Sequence, residues 1–178
     1  MNDLNPFGTD EPDEGLIGEG KWLRIRNGMT MDSGSSVFVI PSGWLKMFAM
    51  RESAGSKRGQ TYQAAAKGGK PIVNEGEKEV KFYTNDGEKR KIVCQVARVN
   101  KLLASIGEIC DKGNDVIFRR DGGDIIHLQS GKRTPFRRHG NVYVMDAWIN
   151  NPNWAEKEHE DDDGEGEALT FTRQGVSR

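Results

Sequence analysis

The chain has 178 residues, of which 35% are hydrophobic and 30% are charged, and its formal net charge is −1. This length favours one domain with flanking segments over two full domains, and the apolar share is low for a chain that is packed throughout. No apolar run approaches the length of a membrane span and the acidic start is unlike a signal peptide, so we expect an intracellular, cytoplasmic protein with no membrane partner.

Charge is distributed unevenly along the sequence. The first twenty residues hold six acidic residues and no Lys or Arg, and residues 154–167 hold eight acidic residues and one lysine. Residues 21–150 keep 13 acidic and 23 basic residues, a difference of about ten positive charges. We therefore interpret residues 1–20 and 151–178 as acidic disordered segments and residues 21–150 as the folded domain.

The positive domain could bind nucleic acid, or its charge could be neutralised by the acidic segments. Its Lys and Arg are scattered and few aromatic residues lie between them, so we favour neutralisation and do not expect a nucleic-acid partner. The basic residues within 132–139 could contact phosphates, but we interpret them as a solvated hairpin.

Short strands are predicted along the first half of the domain. Residues 21–31 alternate between apolar and polar around Asn27-Gly28, which predicts a hairpin turn, and residues 36–40 predict a buried strand that ends at Pro41. Residues 43–50 could form one short helical turn. Residues 53–70 are rich in Ser, Gly, Lys and Ala and are predicted to be a mobile connection.

The second half shows the same alternation. Residues 80–96 predict a hairpin with its turn at 85–87, and the apolar residues from 102 onwards predict a helix that ends at Lys112-Gly113. Further strands are predicted at 116–118, 125–128 and 142–145, separated by turns that contain glycine. Many short strands with one short helix predict a mainly β, barrel-like domain.

The cysteines and histidines form neither a disulfide pattern nor a metal site in the sequence. Cys94 and Cys110 make no CxxC pair and have apolar neighbours, so we expect two small buried side chains in a reducing compartment. His127, His139 and His159 are far apart and lack the spacing of metal ligands. We therefore expect no metal and no cofactor.

The segment that carries chemistry is Asp32-Ser33-Gly34-Ser35, followed directly by the apolar strand. Burying an ionised carboxylate without partners is costly, so Asp32 must be hydrogen-bonded or lie near the surface. The amides of Gly34 and Ser35 could point back at the carboxylate in a tight turn, because glycine lets the backbone approach closely. Asp-Ser-Gly alone is also a common turn tripeptide, and on these three residues that interpretation stays open.

Residues 31–41 resemble the active-site loop of aspartic proteases, in which Asp-Thr/Ser-Gly precedes small residues, an apolar strand and a proline. The order of the later segments is similar to that of the retropepsins, and most similar to the protease region of copia-type retrotransposon polyproteins. These segments are a glycine-containing flap region (68–76), an apolar strand (92–99), a Leu-Leu-Ser-like segment (102–107), a Lys-Gly-x-x-Val-x-Phe-like strand (111–118), and the later 130–132 and 142–145. The resemblance covers residues 21–149.

The resemblance implies a retropepsin-like closed β-barrel, which is one half of an acid protease. Asp32 would be the catalytic residue. Ser33 would hydrogen-bond across a two-fold axis, the amide of Gly34 would lie beside the carboxylate, and Ser35 would hold its outer oxygen. Behind the loop the family places a strand and a glycine, which in this chain correspond to Leu103, Ile106 and Gly107.

Aspartic protease chemistry requires two facing carboxylates that hold one water and share one proton. This chain has one Asp-Ser-Gly motif, and its folded domain is too short for the two-lobed form of the family. We therefore expect a homodimeric aspartic endopeptidase that cleaves a peptide or polyprotein substrate, with the second Asp32 supplied by a partner copy. The alternative is a non-catalytic module of retropepsin fold that dimerises or binds peptides.

Overall fold

A computed structural model describes residues 13–63 and 68–154, which form fifteen short strands and two short helices. The first strands are β1 (Leu16–Ile17), β2 (Trp22–Ile25), β3 (Met29–Asp32), β4 (Val39–Pro41), β5 (Met50–Arg51), β6 (Thr61–Tyr62) and β7 (Ile72–Val73). The later strands are β8 (Gly76–Tyr83), β9 (Lys89–Ala97), β10 (Leu102–Ser105), β11 (Asn114–Arg119), β12 (Gly122–His127), β13 (Arg133–His139), β14 (Val142–Met145) and β15 (Trp148–Asn150). The helices are α1 (Ala54–Lys57) and α2 (Ile106–Asp111).

One large mixed sheet joins most strands in the order β1-β2-β15-β8-β9-β4-β10-β3-β14-β13-β12-β11, with β5 paired to β8, while β6 and β7 pair separately. Most neighbours are antiparallel, but β3 with β10 and β4 with β9 are parallel. The prediction of a mainly β fold is confirmed. Among the described strands the path of pairing runs from β1 to β11 without closing, so the closed barrel that the resemblance implied is not confirmed. The predicted short helix is present as α2, and α1 is a second helix that the sequence did not predict.

The β8–β9 hairpin confirms the strongest sequence pattern. Ile92, Cys94 and Val96 of β9 are buried, and the residues between them are only half-buried. At the turn, the amide of Gly87 donates to the carbonyl of Thr84 at 2.9 Å. Each buried aliphatic side chain contributes about 1.5–3 kcal/mol, so the inward face of this hairpin is a main part of the core.

The predicted hairpin around Asn27-Gly28 is wrong, although its turn exists. Both residues have positive φ, at 58° and 61°. However, β2 pairs with β1 and β15, whereas β3 pairs with β10 and β14. Met29, Thr30 and Met31 are all buried, and a strand that is covered on both faces needs a central place in the sheet. The turn therefore leads β3 away from β2.

Residues 42–49 form turns instead of the predicted helical turn. Leu45 has φ 52°, outside the helical region, and its side chain is fully buried. The ammonium of Lys78 donates to the carbonyls of Trp44 and Leu45 at 2.8 and 3.4 Å. The carboxylate of Asp13 accepts the amides of Leu45 and Lys46 at 3.0 and 2.6 Å. Two side chains thus satisfy the backbone groups that a helix would have paired internally.

The stretch predicted to be a mobile connection contains α1 and the first strand of the β6–β7 sheet, and its residues 64–67 lie outside the described residues. Ser53 caps α1, since its hydroxyl accepts the amide of Ser56 at 3.0 Å. The buried side-chain amide of Asn74 donates to the hydroxyl of Tyr62 at 2.9 Å and to Gln95 at 2.8 Å. These bonds join the β6–β7 sheet to β9, so the described part is not the unstructured connection that its composition suggested.

Both ends of the described chain lie beside β2. Residues 13–20, which the sequence placed in an acidic disordered segment, include β1, and β1 pairs antiparallel with β2. A Cβ on Gly15 would lie 2.7 Å from Cγ of Trp44, so glycine allows this close approach. After β15, the amide of Asn151 donates to the carbonyl of Lys21 at 2.9 Å. Residues 1–12 and 155–178 lie outside the described residues.

Strands β11 to β14 form an antiparallel meander that joins the rest of the sheet through β14 and β3. The predicted strands at 116–118, 125–128 and 142–145 correspond to β11, β12 and β14. The basic residues interpreted as a solvated hairpin lie mostly on β13, which was not predicted. There the guanidinium of Arg137 pairs with the carboxylate of Asp146 at 3.0 and 3.1 Å.

The two cysteines differ in exposure. Cys94 is buried as predicted, and burial raises the pKa of its thiol to about 12. Cys110 is exposed, because α2 covers the core through Ile109 instead, and the prediction of a buried side chain is wrong there. Both are free thiols. Within residues 13–63 and 68–154, no helix has the length and apolar character needed to cross a membrane.

Candidate active site

Asp32 is the last residue of β3, a strand in the middle of the sheet. β10 runs parallel on one side of β3 and β14 runs antiparallel on the other. The three residues before Asp32 are buried, whereas Asp32 itself is half-buried. The strand therefore carries the carboxylate from the core to the surface, where an ionised group keeps contact with water.

The loop after Asp32 folds back onto the carboxylate. The amide of Gly34 donates to Oδ1 of Asp32 at 2.8 Å, as the resemblance implied. A Cβ on Gly34 would lie 3.2 Å from the same oxygen, so a larger residue would crowd the carboxyl group. This hydrogen bond fixes the orientation of the carboxylate within its own loop.

The two serines of the loop have different surroundings. Ser33 is exposed together with Gly34 at the tip of the loop. Ser35 is half-buried, and its hydroxyl donates to the carbonyl of Val37 at 2.6 Å. In the single chain Ser35 therefore braces the loop itself, whereas the resemblance implied a contact with the outer oxygen of Asp32.

The loop crosses the end of β10, because β10 lies between β3 and β4 in the sheet. Leu103 is paired with Thr30 of β3 on one side and with Val39 of β4 on the other. Ser105, at the end of β10, stands opposite Asp32. Residues 33–38 must therefore pass over the point where β10 ends and α2 begins. The predicted helix from residue 102 is wrong for its first four residues, which form this strand.

Leu103, Ile106 and Gly107 all lie behind the loop, where the resemblance placed them. Leu103 is half-buried within β10, and Ile106 packs against the core as the first residue of α2. Ser105 is fully buried and caps α2, since its hydroxyl accepts the amide of Glu108 at 3.2 Å. A Cβ on Gly107 would lie 3.8 Å from that hydroxyl, an ordinary contact. The cap fixes the start of α2 next to Ser105, the residue paired with Asp32 in the sheet.

Glu108 is a residue near the site that the sequence interpretation missed. A backbone hydrogen bond from Phe38 reaches its carboxylate, which ties α2 to the end of the loop. Burial raises the pKa of Glu108, although Lys112 and the bond from Phe38 act in the opposite direction and Asp111 adds to the increase. The spacing Ser105-x-x-Glu108, typical of a helix N-terminus, is the signal that could have identified it.

The region assigned to the flap, residues 68–76, contains one short strand and the first residue of the next. Ile72 and Val73 form β7, Asn74 is buried, and Gly76 begins β8. Burial raises the pKa of the Tyr62 hydroxyl, the hydrogen bond with Asn74 opposes this increase, and the negative charge of Glu108 adds to it. Residues 64–67, which lie between β6 and β7 in the sequence, are outside the described part of the chain.

The structure thus brings together one carboxylate, a loop that holds it, and a strand and helix that support the loop. Comparison of the chain with protein-family models, with curated protein sequences and with solved structures finds no match in any of the three. What the fold and the site define is a mainly β domain that presents one Asp-Ser-Gly loop at the end of a central strand.

Proposed function

We propose that this chain is one half of a homodimeric aspartic endopeptidase of retropepsin type, with Asp32 as its catalytic residue. The observation that carries the proposal is the loop itself, in which the half-buried carboxylate accepts the amide of Gly34 at 2.8 Å above the junction of β10 and α2.

Two such loops related by a two-fold axis would supply the acid and the base from identical side chains. The ionised Asp32 would remove a proton from a water as the water attacks the peptide carbonyl. The protonated Asp32 of the other copy would support the carbonyl oxygen and then help protonate the leaving nitrogen. The exposure of Ser33 and Gly34 supports this arrangement, because the loop tips are the parts that would meet.

The remaining features of the proposal follow from the resemblance. The substrate would be a peptide or a polyprotein, and the finer architecture would be that of a retropepsin-like acid-protease half, with the second Asp32 supplied by the dimer partner. The free thiols of Cys94 and Cys110 support an intracellular site of action. No cofactor or metal enters the chemistry, since water and two carboxylates suffice.

The test compares the full-length wild-type chain with Asp32→Asn on a mixed peptide library, from mildly acidic to neutral pH and at several protein concentrations. The matched control is Asp121→Asn, which changes an exposed aspartate that also precedes a glycine. Wild-type and Asp121→Asn should cleave peptides with an activity that rises faster than linearly with concentration, and Asp32→Asn should cleave none.

A mixing experiment isolates the need for two copies. At concentrations where dimers saturate, adding an equal amount of Asp32→Asn to the wild-type chain should lower activity to about half, because about half of the wild-type chains then have an inactive partner. Unchanged activity on mixing would refute the shared site. Folded dimers of the wild-type chain that cleave nothing would leave the alternative, a non-catalytic module that dimerises or binds peptides.

A further inference from the structure

A cavity of about 130 Å³ lies between the β8–β9 hairpin, α2 and the β11–β13 strands, and the residues of the Asp32 loop from 32 to 35 are not part of its lining. Its apolar lining comes from Phe38, Phe82, Ile92, Ile109, Ile125 and Met145. An apolar cavity of about 150 Å³ is sufficient to bind benzene. The cavity therefore has room for one aromatic side chain, and not for a long apolar segment.

The same cavity is strongly basic. Five basic side chains line it, and no Asp or Glu is among the described lining residues. These basic residues are Arg90, Lys91, Lys112, His127 and Lys132. An occupant that combines one aromatic ring with several carboxylates would match both the apolar lining and the charge.

Two carboxylates outside the cavity already neutralise part of this charge. Glu88 accepts Arg90 at 3.2 Å and Lys132 at 2.8 Å, and Glu79 accepts Lys91 at 3.6 Å. The side chains of Lys91 and Lys132 are nevertheless 60% and 61% exposed. Ion pairs this exposed are weak, so an incoming carboxylate can share or replace them.

We propose that this cavity is the docking site of the chain's own segment 155–171, with the ring of Phe171 in the cavity and the preceding acidic residues against its basic side chains. The segment holds eight acidic residues and one lysine before Phe171. Trp154 is the last described residue, and the segment 155–171 that follows it has seventeen residues. In extended form they span about 56 Å, whereas a domain of this size is roughly 35 Å across.

Phe7 is the other aromatic residue outside the described part of the chain, and charge favours Phe171 over it. Residues 1–12 hold only three acidic residues. The next acidic residue, Asp13, is already bound to the amides of Leu45 and Lys46. Phe7 therefore provides a matched control for the aromatic residue.

The experiment measures binding of a fluorescent peptide of residues 156–173 to full-length variants at low salt by fluorescence anisotropy. In the wild-type chain the attached segment competes at a high effective concentration. Phe171→Ser should therefore bind the peptide at least about tenfold more tightly than the wild-type chain or Phe7→Ser. Circular dichroism and thermal melting verify that each variant is folded.

A second pair of variants locates the site. Added to Phe171→Ser, Lys112→Gln should weaken peptide binding about two- to fivefold, whereas Lys81→Gln, an exposed lysine outside the cavity, should leave it unchanged. Equal peptide binding by the wild-type chain and Phe171→Ser, or no binding by either, would overturn the proposal. So would a molecular mass that rises with concentration in the wild-type chain but not in Phe171→Ser, because the segment would then dock on another copy.

Discussion

Asp13 provides a sharp test of where the folded unit begins, because it lies in a segment whose composition suggested disorder. Its Oδ1 accepts the amides of Gly15 at 2.9 Å and Leu45 at 3.0 Å, and its Oδ2 accepts that of Lys46 at 2.6 Å. Gly15 and Leu45 are buried, whereas Lys46 is exposed and can turn to water. Asp13→Ala therefore leaves two buried amides without an acceptor.

The expected cost follows from these two amides. A buried donor that loses its partner costs about 1–3 kcal/mol, and partial access of water places each amide near the lower end of this range. Asp13→Ala should therefore lower the free energy of unfolding by about 2–3 kcal/mol, which corresponds to roughly 6–9 °C in Tm. Asp13→Asn keeps an oxygen acceptor for Gly15 and Leu45 and should lose only about 1 kcal/mol.

The assay is urea unfolding of the full-length chain, followed by tryptophan fluorescence, since the buried Trp44 lies in the segment that Asp13 holds. Glu19→Ala is the control, because it removes an exposed acidic residue from the same part of the chain. A loss in Asp13→Ala no larger than in Glu19→Ala would refute the reasoning, and the folded unit would then begin after this segment.

Two further predictions concern buried charge and pH. Burial raises the folded-state pKa of Glu108 above its ordinary value of 4.5, so the wild-type chain loses stability as the pH rises from 4.5 through the raised pKa. Glu108→Gln can still accept the backbone bond from Phe38 and should not show this loss. The measurement is urea unfolding between about pH 4 and about pH 7. Burial lowers the folded-state pKa of Lys78 below 10.5, so between that lowered pKa and 10.5 the unfolded chain binds more protons than the folded chain. The stability of the wild-type chain relative to Lys78→Met should therefore rise between about pH 7 and about pH 9.5. A stability difference that stays constant over this range would contradict a lowered pKa.

Local periodicity predicted the elements that depend on neighbouring residues and failed where distant pairing decides. The alternation around Ile92 and Cys94 identified the β8–β9 hairpin, because one face of each strand is buried. The run from Leu102 to Ser105 is apolar without a clear period, and such a run does not distinguish a strand from a buried helix. This run is a strand only because it pairs with β3 and β4. Its partner residues on those strands lie 73 and 64 positions earlier in the sequence.

Several features of the fold were hidden by composition. Lys78 occupies an inward position of β8, in phase with Val80 and Phe82, and this phase was a signal that its ammonium is buried. Asp13 offered no such signal, because it is one of several acidic residues with no apolar period nearby. β13 was missed since Arg and Pro are uncommon in strands, yet Thr134 and Phe136 are buried in alternation there.

The loop contact between Gly34 and Asp32 could be expected from sequence, because glycine after an Asx residue permits a close return of the backbone. Periodicity alone did not predict the strand behind it, since that strand depends on β10 entering the sheet between β3 and β4. Ser105 ends β10 and Glu108 follows in α2, so the position of β10 also sets theirs. Sequence reasoning thus reached the Asp-Ser-Gly motif and, through the resemblance, Leu103, Ile106 and Gly107, but not Ser105 or Glu108.

α2 contacts both the candidate active site and the basic cavity, but the two proposals can be tested separately because they depend on different residues. Glu108 receives the backbone bond of Phe38 on the loop side, while Ile109 and the ring of Phe38 line the cavity. Asp32→Asn alters neither contact, so it should abolish cleavage and leave peptide docking unchanged. Phe171→Ser alters no residue of the loop, so it should free the cavity and leave the Asp32 dyad able to form. Loss of both properties in a variant outside Phe38 and α2 would indicate loss of the fold, because Phe38 and α2 are the parts that contact both sites.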